Sequence, residues 1–172
     1  MKRKITSLIT ALFAAILITS TVFAGSIRFS NVTFQLGSLI ANGTLTGLGN
    51  QDVRVLLEAS GFPQVTCTNN GGNQAPGQNP PKVSADGEQL LFGFDLTRKN
   101  GKSPFGVETV DPVVVDAVTY GCPNATWTAT IDFIYWTEAT IRVYDLETNE
   151  FLRSQDYTCT TTLNSVSCTA VK

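Results

Sequence analysis

The chain has 172 residues, with twelve Lys or Arg, fourteen Asp or Glu, four Cys and no His. Without an imidazole, Ser-His-Asp and Cys-His catalysis, histidine-ligated zinc and histidine pH switching are excluded. The acidic balance offers no electrostatic attraction to nucleic acid or to an anionic membrane, so neither is expected as a partner.

The first segment reads as a transport signal. Lys2, Arg3 and Lys4 precede an apolar run over residues 5–23, and Val22 and Ala24 supply the small residues of a cleavage site before Gly25. This is the pattern of a secretory signal peptide spanning residues 1–24. The competing reading is an uncleaved anchor, since a bilayer span needs about 20 apolar residues, but Ser7, Thr10, Ser20 and Thr21 dilute the run. Residues 25–172 then form a single secreted domain with no stable membrane insertion after cleavage. Nine basic against fourteen acidic residues leave that domain at −5, and its size allows about two thirds of the unfolded surface to be buried.

In chain order, residues 27–36 alternate loosely and make a first strand. Residues 38–48 place Leu39, Ala41, Gly43, Leu45 and Gly47 on one face. After a turn, VRVLLEAS sets Val53, Val55, Leu57 and Ala59 against Arg54, Leu56 and Glu58, the period-two pattern of a half-buried antiparallel strand. Gly61 and Pro63 are expected to end it, with a separate short strand at residues 64–68 delivering Cys67 to a long loop.

That loop, CTNNGGNQAPGQNPP, has little capacity for regular structure. Residues 82–98 resume as strand and reach Asn100-Gly101, a strong hairpin signal because both residues tolerate positive φ. SPFGVETV is the expected return strand, and residues 111–124, bounded by Pro112 and Pro123, read as an irregular crossing that carries Cys122. WTATIDFIYW alternates Trp127, Ala129, Ile131 and Phe133 against Thr128, Thr130 and Asp132, ending in a turn near Trp136. Residues 140–162 read as a hairpin turning near residues 147–150, and residues 165–171 close the chain.

All four cysteines, Cys67, Cys122, Cys159 and Cys168, lie in the exported part, so two disulfides are expected. A two-residue turn at Leu163-Asn164 puts Cys159 opposite Cys168, and of the three possible pairings this favours Cys159–Cys168 with Cys67–Cys122. Loop closure assigns about 4 kcal/mol to the long bridge and below about 3 kcal/mol to the short one. No helical periodicity follows the signal, and short β-branched strands at near-regular spacing predict an all-β, antiparallel, immunoglobulin-like β-sandwich, with a β-barrel as the alternative.

GTLTGLGNQDVRV, CTNNGGNQAPGQNP, the NG turn and CPNATWTATIDF, taken in this order, resemble a group of small secreted, uncharacterised bacterial proteins. The resemblance covers most of the exported chain, while Cys159 and Cys168 fall outside the shared pattern. It implies export and a bacterial-type origin and supplies no catalytic residue.

Phosphate-cradling chemistry is not expected, because GGNQAPGQN lacks both the lysine and the following helix. A carboxylate-pair glycoside hydrolase needs only two acids, available from Asp86, Glu88, Asp95, Glu108, Asp111, Asp116, Asp132 and Glu138, but nothing selects a pair. Asp86 and Glu88 lack calcium-loop spacing, so no metal, cofactor or catalytic residue is assigned.

The candidate ligand-binding residues are the loop amides Asn69, Asn73, Gln74, Gln78 and Asn79, suited to sugar hydroxyls or peptide backbone, together with Trp136 as the exposed aromatic. The favoured reading of the loop is that its amides satisfy their own backbone, since self-satisfied loops outnumber binding ones. Trp127 is expected in the core beside Cys122, and Tyr135 and Tyr144 are further platform candidates. Asn31, Asn42 and Asn124 match a glycosylation pattern that a Thr-rich chain meets by chance. The reading is a secreted, non-enzymatic structural or interaction module with an unknown extracellular partner, polysaccharide or protein. The alternatives are a carbohydrate-binding domain, a small carboxylate-dependent glycoside hydrolase, and an assembly unit donating residues 27–36 to a neighbouring sheet.

Overall fold

The structure is a computed structural model that describes residues 26–94 and 101–172. The signal peptide read at residues 1–24, together with Asp95 and Asn100, lies outside the described residues. Nine strands run in order: β1 Arg28–Gln35, β2 Ile40–Thr46, β3 Val53–Thr68, β4 Gln74–Pro76, β5 Val83–Leu91, β6 Lys102–Glu108, β7 Thr128–Asp145, β8 Phe151–Thr162 and β9 Ser165–Ala170. They form two antiparallel sheets packed in a sandwich-like arrangement, with no closed barrel and no helix among the described residues. One sheet has the order β1-β2-β6, and the other β4-β3-β7-β8-β9 with β5 also on β3.

The long antiparallel pair of β3 and β7 is the spine. In β3, Val53, Val55, Leu57, Ala59, Val65 and Cys67 all point into the core, so its alternation never slips. Gly61 and Pro63, expected to end the strand, lie inside it. Pro63 falls where β5 pairing has stopped at Gly61 and β4 pairing has not begun at Thr66, the kind of open flank where a missing N–H is tolerated. Gly61 is required at its position: a Cβ there would lie 2.5 Å from the Tyr135 carbonyl oxygen and 2.8 Å from the Trp136 Cα.

β3 has 16 residues and β7 has 18. The two extra residues, Asp132 and Thr137, are left unpaired where the register shifts between Gln64/Val65 and between Ser60/Gly61. Each is a β-bulge, and each reverses which side chains of β7 face inward. This corrects the expectation for Trp136. It does not sit at a turn but mid-strand, 1% exposed, because the first bulge moves the buried set from Ala129 and Ile131 to Ile134 and Trp136, and the second moves it on to Ala139, Ile141 and Val143. The same shift turns Phe133 to the outer face, and Trp127, expected in the core, is only partly buried against it.

The smaller sheet covers the inner side of residues 53–60 and 138–145, but the spine is longer than that sheet. Over its far half the cover is the irregular segment 109–127, whose Ala117, Tyr120 and Cys122 join Val65, Cys67, Ala129 and Ile134 in one core cluster. Cys67–Cys122 fastens this segment to β3, and Cys159–Cys168 links β8 to β9 in direct register, both as expected. Two such bridges fit an oxidising, extracellular environment. No helix among the described residues is long and apolar enough to cross a membrane.

Among the described residues, the strands on either side of Asn100-Gly101 do not pair as the expected hairpin. β5 and β6 belong to different sheets, and β6 pairs with β2. Gly101 nonetheless has φ +68°, the conformation the Asn-Gly reading requires of it, while Asn100 lies outside the described residues. β1 pairs with β2 of its own chain through a bulge at residues 31–32, where Asn31 takes φ +53°.

Candidate functional site

Beyond the point where β5 leaves β3, the regular alternation of β3 sends Phe62, Gln64 and Thr66 to the outer face of the larger sheet. The Asp132 bulge sends Phe133 and Tyr135 to the same face, with Phe62 opposite Tyr135 and Gln64 opposite Phe133. The Phe133 and Tyr135 rings meet edge to face with centroids 5.0 Å apart. The Tyr135 hydroxyl donates to Gln64 Oε1 at 3.4 Å, and the Thr66 hydroxyl donates to Asp132 Oδ2 at 2.6 Å. Phe62 is 53% exposed. Three aromatic rings, one of them a phenol, therefore share one surface with an amide and a carboxylate.

The loop amides divide. Asn69 is structural: its Oδ1 accepts from the backbone N–H groups of Gly71 at 2.9 Å and Asn73 at 3.0 Å, closing a tight turn. Gln78 is tied down through its backbone N–H to the Gly121 carbonyl at 2.9 Å, while its side-chain amide donates to the Pro76 carbonyl at 3.4 Å. Gly121 has φ +83° and packs against Gln78 so closely that a Cβ would strike its backbone, so the crossing and the loop are fitted to each other. Asn73, Gln74 and Asn79 are exposed, and their side chains make no hydrogen bond among the described residues. Gln74 pairs with Thr68, and its neighbour Pro76 pairs with Thr66, which puts Gln74 on the same outer face as Phe62, Gln64 and Thr66. Of the six expected binding residues, the structure brings Gln74 to the aromatic face. It buries Trp136 beneath that face, and it commits Asn69 to its own turn.

Next to the aromatic rings the outer face becomes a charged groove. A cavity of about 370 Å³ is lined in part by Glu58, Ser60, Asp86 and Glu138. Lys82 bonds Glu138 at 2.6 Å, Arg142 pairs with Glu58, and Arg54 lies 3.9 Å from Glu88. The Lys82 ammonium, and then the Ser60 hydroxyl, hold the Glu138 carboxyl below the usual range. Asp116 and Asp145 are likewise lowered, chiefly by bonds from Thr119 and Thr148. General-acid catalysis needs a carboxyl raised toward neutrality, and these three are all displaced the other way. Among the described residues, no group of three or more Cys, Asp or Glu could hold a metal ion.

Phe62 and Phe133 were not legible as site residues. Phe62 was hidden because Pro63 reads as a strand end, and Phe133 because an unbroken period of two assigns it inward. The usable signal was the mismatch in β7, where a strict alternation from Ala129 would put Tyr135 inside and Ile134 outside. Tyr144, another platform candidate, is far along β7 under the Arg54 guanidinium, 5.2 Å from its ring centroid. Comparison with known proteins finds no matching family model, no similar curated protein and no similar solved structure.

Proposed function

We propose that this chain is an exported, non-enzymatic interaction module that works outside the cell and binds through the outer face of the far half of the β3–β7 pair. The observation that carries the reading is Phe62, a large apolar ring left 53% exposed on the same face as Phe133 and Tyr135, which the Asp132 bulge turns outward. Solvent-facing aromatic clusters of this kind are enriched at recognition surfaces. Export is supported by the basic-then-apolar start of the chain and by the two disulfides. An immunoglobulin-like kinship is part of the same reading. It is supported by the two-layer antiparallel packing, although the long disulfide joins a strand to a crossing rather than sheet to sheet.

A second reading, carbohydrate binding, is favoured by the Tyr135–Gln64 pair: a ring face next to an amide that can exchange hydrogen bonds with hydroxyls. The test is a pull-down from extracellular material run alongside affinity electrophoresis on polysaccharides, using wild type, Phe62→Ala/Tyr135→Ala, and Asn73→Ala/Asn79→Ala. The expected result is loss of binding in the first variant and retention in the second. Equal binding by wild type and the aromatic double variant would remove this face from the argument, and retardation on a polysaccharide decides for the carbohydrate reading.

A further inference from the structure

The outer face of the larger sheet carries a second aromatic group at its other end. Tyr144 and Phe151 lie opposite each other on β7 and β8, edge to face with ring centroids 5.9 Å apart. Arg54 and Leu90 complete the same cross-strand row on β3 and β5. Phe151 is 53% and Leu90 43% exposed, so this end is as open as the end marked by Phe62. From the row of Arg54 to the row of Phe62 and Tyr135, β3 advances by eight residues. At the usual rise of an antiparallel strand that is about 27 Å.

Between the two aromatic groups runs the polar cavity of about 370 Å³. Arg54, Arg142 and Lys82 each answer one carboxylate there, Glu88, Glu58 and Glu138. Two further carboxylates have no cation among the described residues. Asp156 accepts from the Thr140 hydroxyl at 2.9 Å, and the Asp86 carboxylate has no partner at all among those residues. Asp86 also stands directly opposite Glu58 on the neighbouring strand. Like charges placed so weaken a sheet, and this pair works against the element that holds it.

We propose that this face is one continuous track whose occupant is an uncharged polysaccharide chain lying along the strands, held by Phe62, Phe133 and Tyr135 at one end and by Tyr144 and Phe151 at the other. The proposal rests on the far-end aromatic face being a binding surface. The chemistry of the track selects the occupant. An extended peptide docks on a sheet through main-chain hydrogen bonds at an edge, and the face of a sheet offers it no free N–H or C=O. A sugar chain needs only side chains: rings for its C–H surfaces, and carboxylates, hydroxyls and an amide to accept from its hydroxyls. The carboxylates left without a cation repel an anionic polymer. A chain that reaches both aromatic groups makes its second contact intramolecularly and gains affinity, whereas a short one engages a single end.

The test is affinity electrophoresis of the intact protein on neutral glucans, mannans and xylans, with titration calorimetry on their oligosaccharides graded from the disaccharide upward. At least one polymer should retard the protein, and affinity should rise with chain length until the track is spanned. Phe151→Ala should weaken the polymer about tenfold, the worth of one such aromatic contact, and leave the shortest bound oligosaccharide unaffected. Asp86→Asn should weaken the polymer while the protein becomes no less stable, which a purely structural carboxylate would not do. If Phe151→Ala fails to fold, Asp86→Asn and the length series still decide. No retardation on any polymer, affinity independent of length, or a polymer bound equally by wild type and both variants overturns the track. Capture of an extracellular protein with no polysaccharide retained also overturns it and leaves the aromatic face standing as a protein-binding surface. Equal binding by Phe62→Ala/Tyr135→Ala removes that face itself.

Discussion

The two halves of the β3–β7 pair are built from the same two strands yet held differently. Residues 53–60 and 138–145 are flanked by β5 and β8 and covered by a second sheet, so their inner side chains meet a complementary pleated surface. Residues 62–68 and 128–136 lose those flanking strands, with only the three-residue β4 beside Thr66–Thr68, and are covered by a segment with no strand structure, held by a covalent bond. The first half is stabilised by repeated local pairing and the second by one crosslink and a few fitted contacts. Loss of lateral strands is also what leaves Phe62 and its neighbours uncovered. The half that is weaker as a sheet is therefore the half that carries the candidate binding face.

Removing the long bridge should break the comparison outright. Cys67→Ala/Cys122→Ala is expected to lower stability by about 4 kcal/mol, read by urea unfolding. Hydrogen exchange should show protection falling first at residues 62–68 and 128–136, while residues 53–60 keep theirs. Uniform loss would mean that the two halves form a single cooperative unit.

Gly61→Ala acts at the junction of the halves, where a Cβ meets the Tyr135 carbonyl. A cost of about 1–3 kcal/mol is expected, without loss of either disulfide by mass spectrometry.

The first half should respond to alkali. Tyr157 on β8 packs edge to face on Phe34 with centroids 5.0 Å apart, and burial pushes its phenol from 10.0 up to about 12. The folded value exceeds the unfolded one, so the contribution is intact below pH 10.0 and is lost as pH rises from there through about 12. Tyr157→Phe should flatten that decline in a stability-against-pH series, whereas the Cys67/Cys122 variant should leave its slope unchanged.

The smallest effect on stability belongs to Phe62→Ala, expected to stay within about 0.5 kcal/mol because the ring is exposed. A larger loss on thermal unfolding would identify the aromatic cluster as a packing device for the weaker half and weaken its case as a binding surface.

Much of this architecture was readable in the residues. The alternation of Val53, Val55, Leu57 and Ala59, the absence of helical periodicity and the Leu163-Asn164 turn led directly to antiparallel strands and to Cys159 opposite Cys168. Cys67 pairing with Cys122 followed once the short bridge was set. These features are local: period, turn chemistry and spacing act over a few residues, and the chain carries them wherever it folds.

What tertiary structure alone decided is where periodicity is interrupted and what each surface meets. Asp132 and Thr137 become bulges only because β7 must match a β3 two residues shorter, and that mismatch buries Trp136 and exposes Phe133. Pro63 is tolerated because its flank is empty, a property of neighbouring strands. β5 and β6 separate into different sheets although Asn100-Gly101 lies between them in the sequence. Side-chain direction in a strand depends on counting by twos without error, and a single unpaired residue, set by a partner distant in sequence, reverses every assignment beyond it.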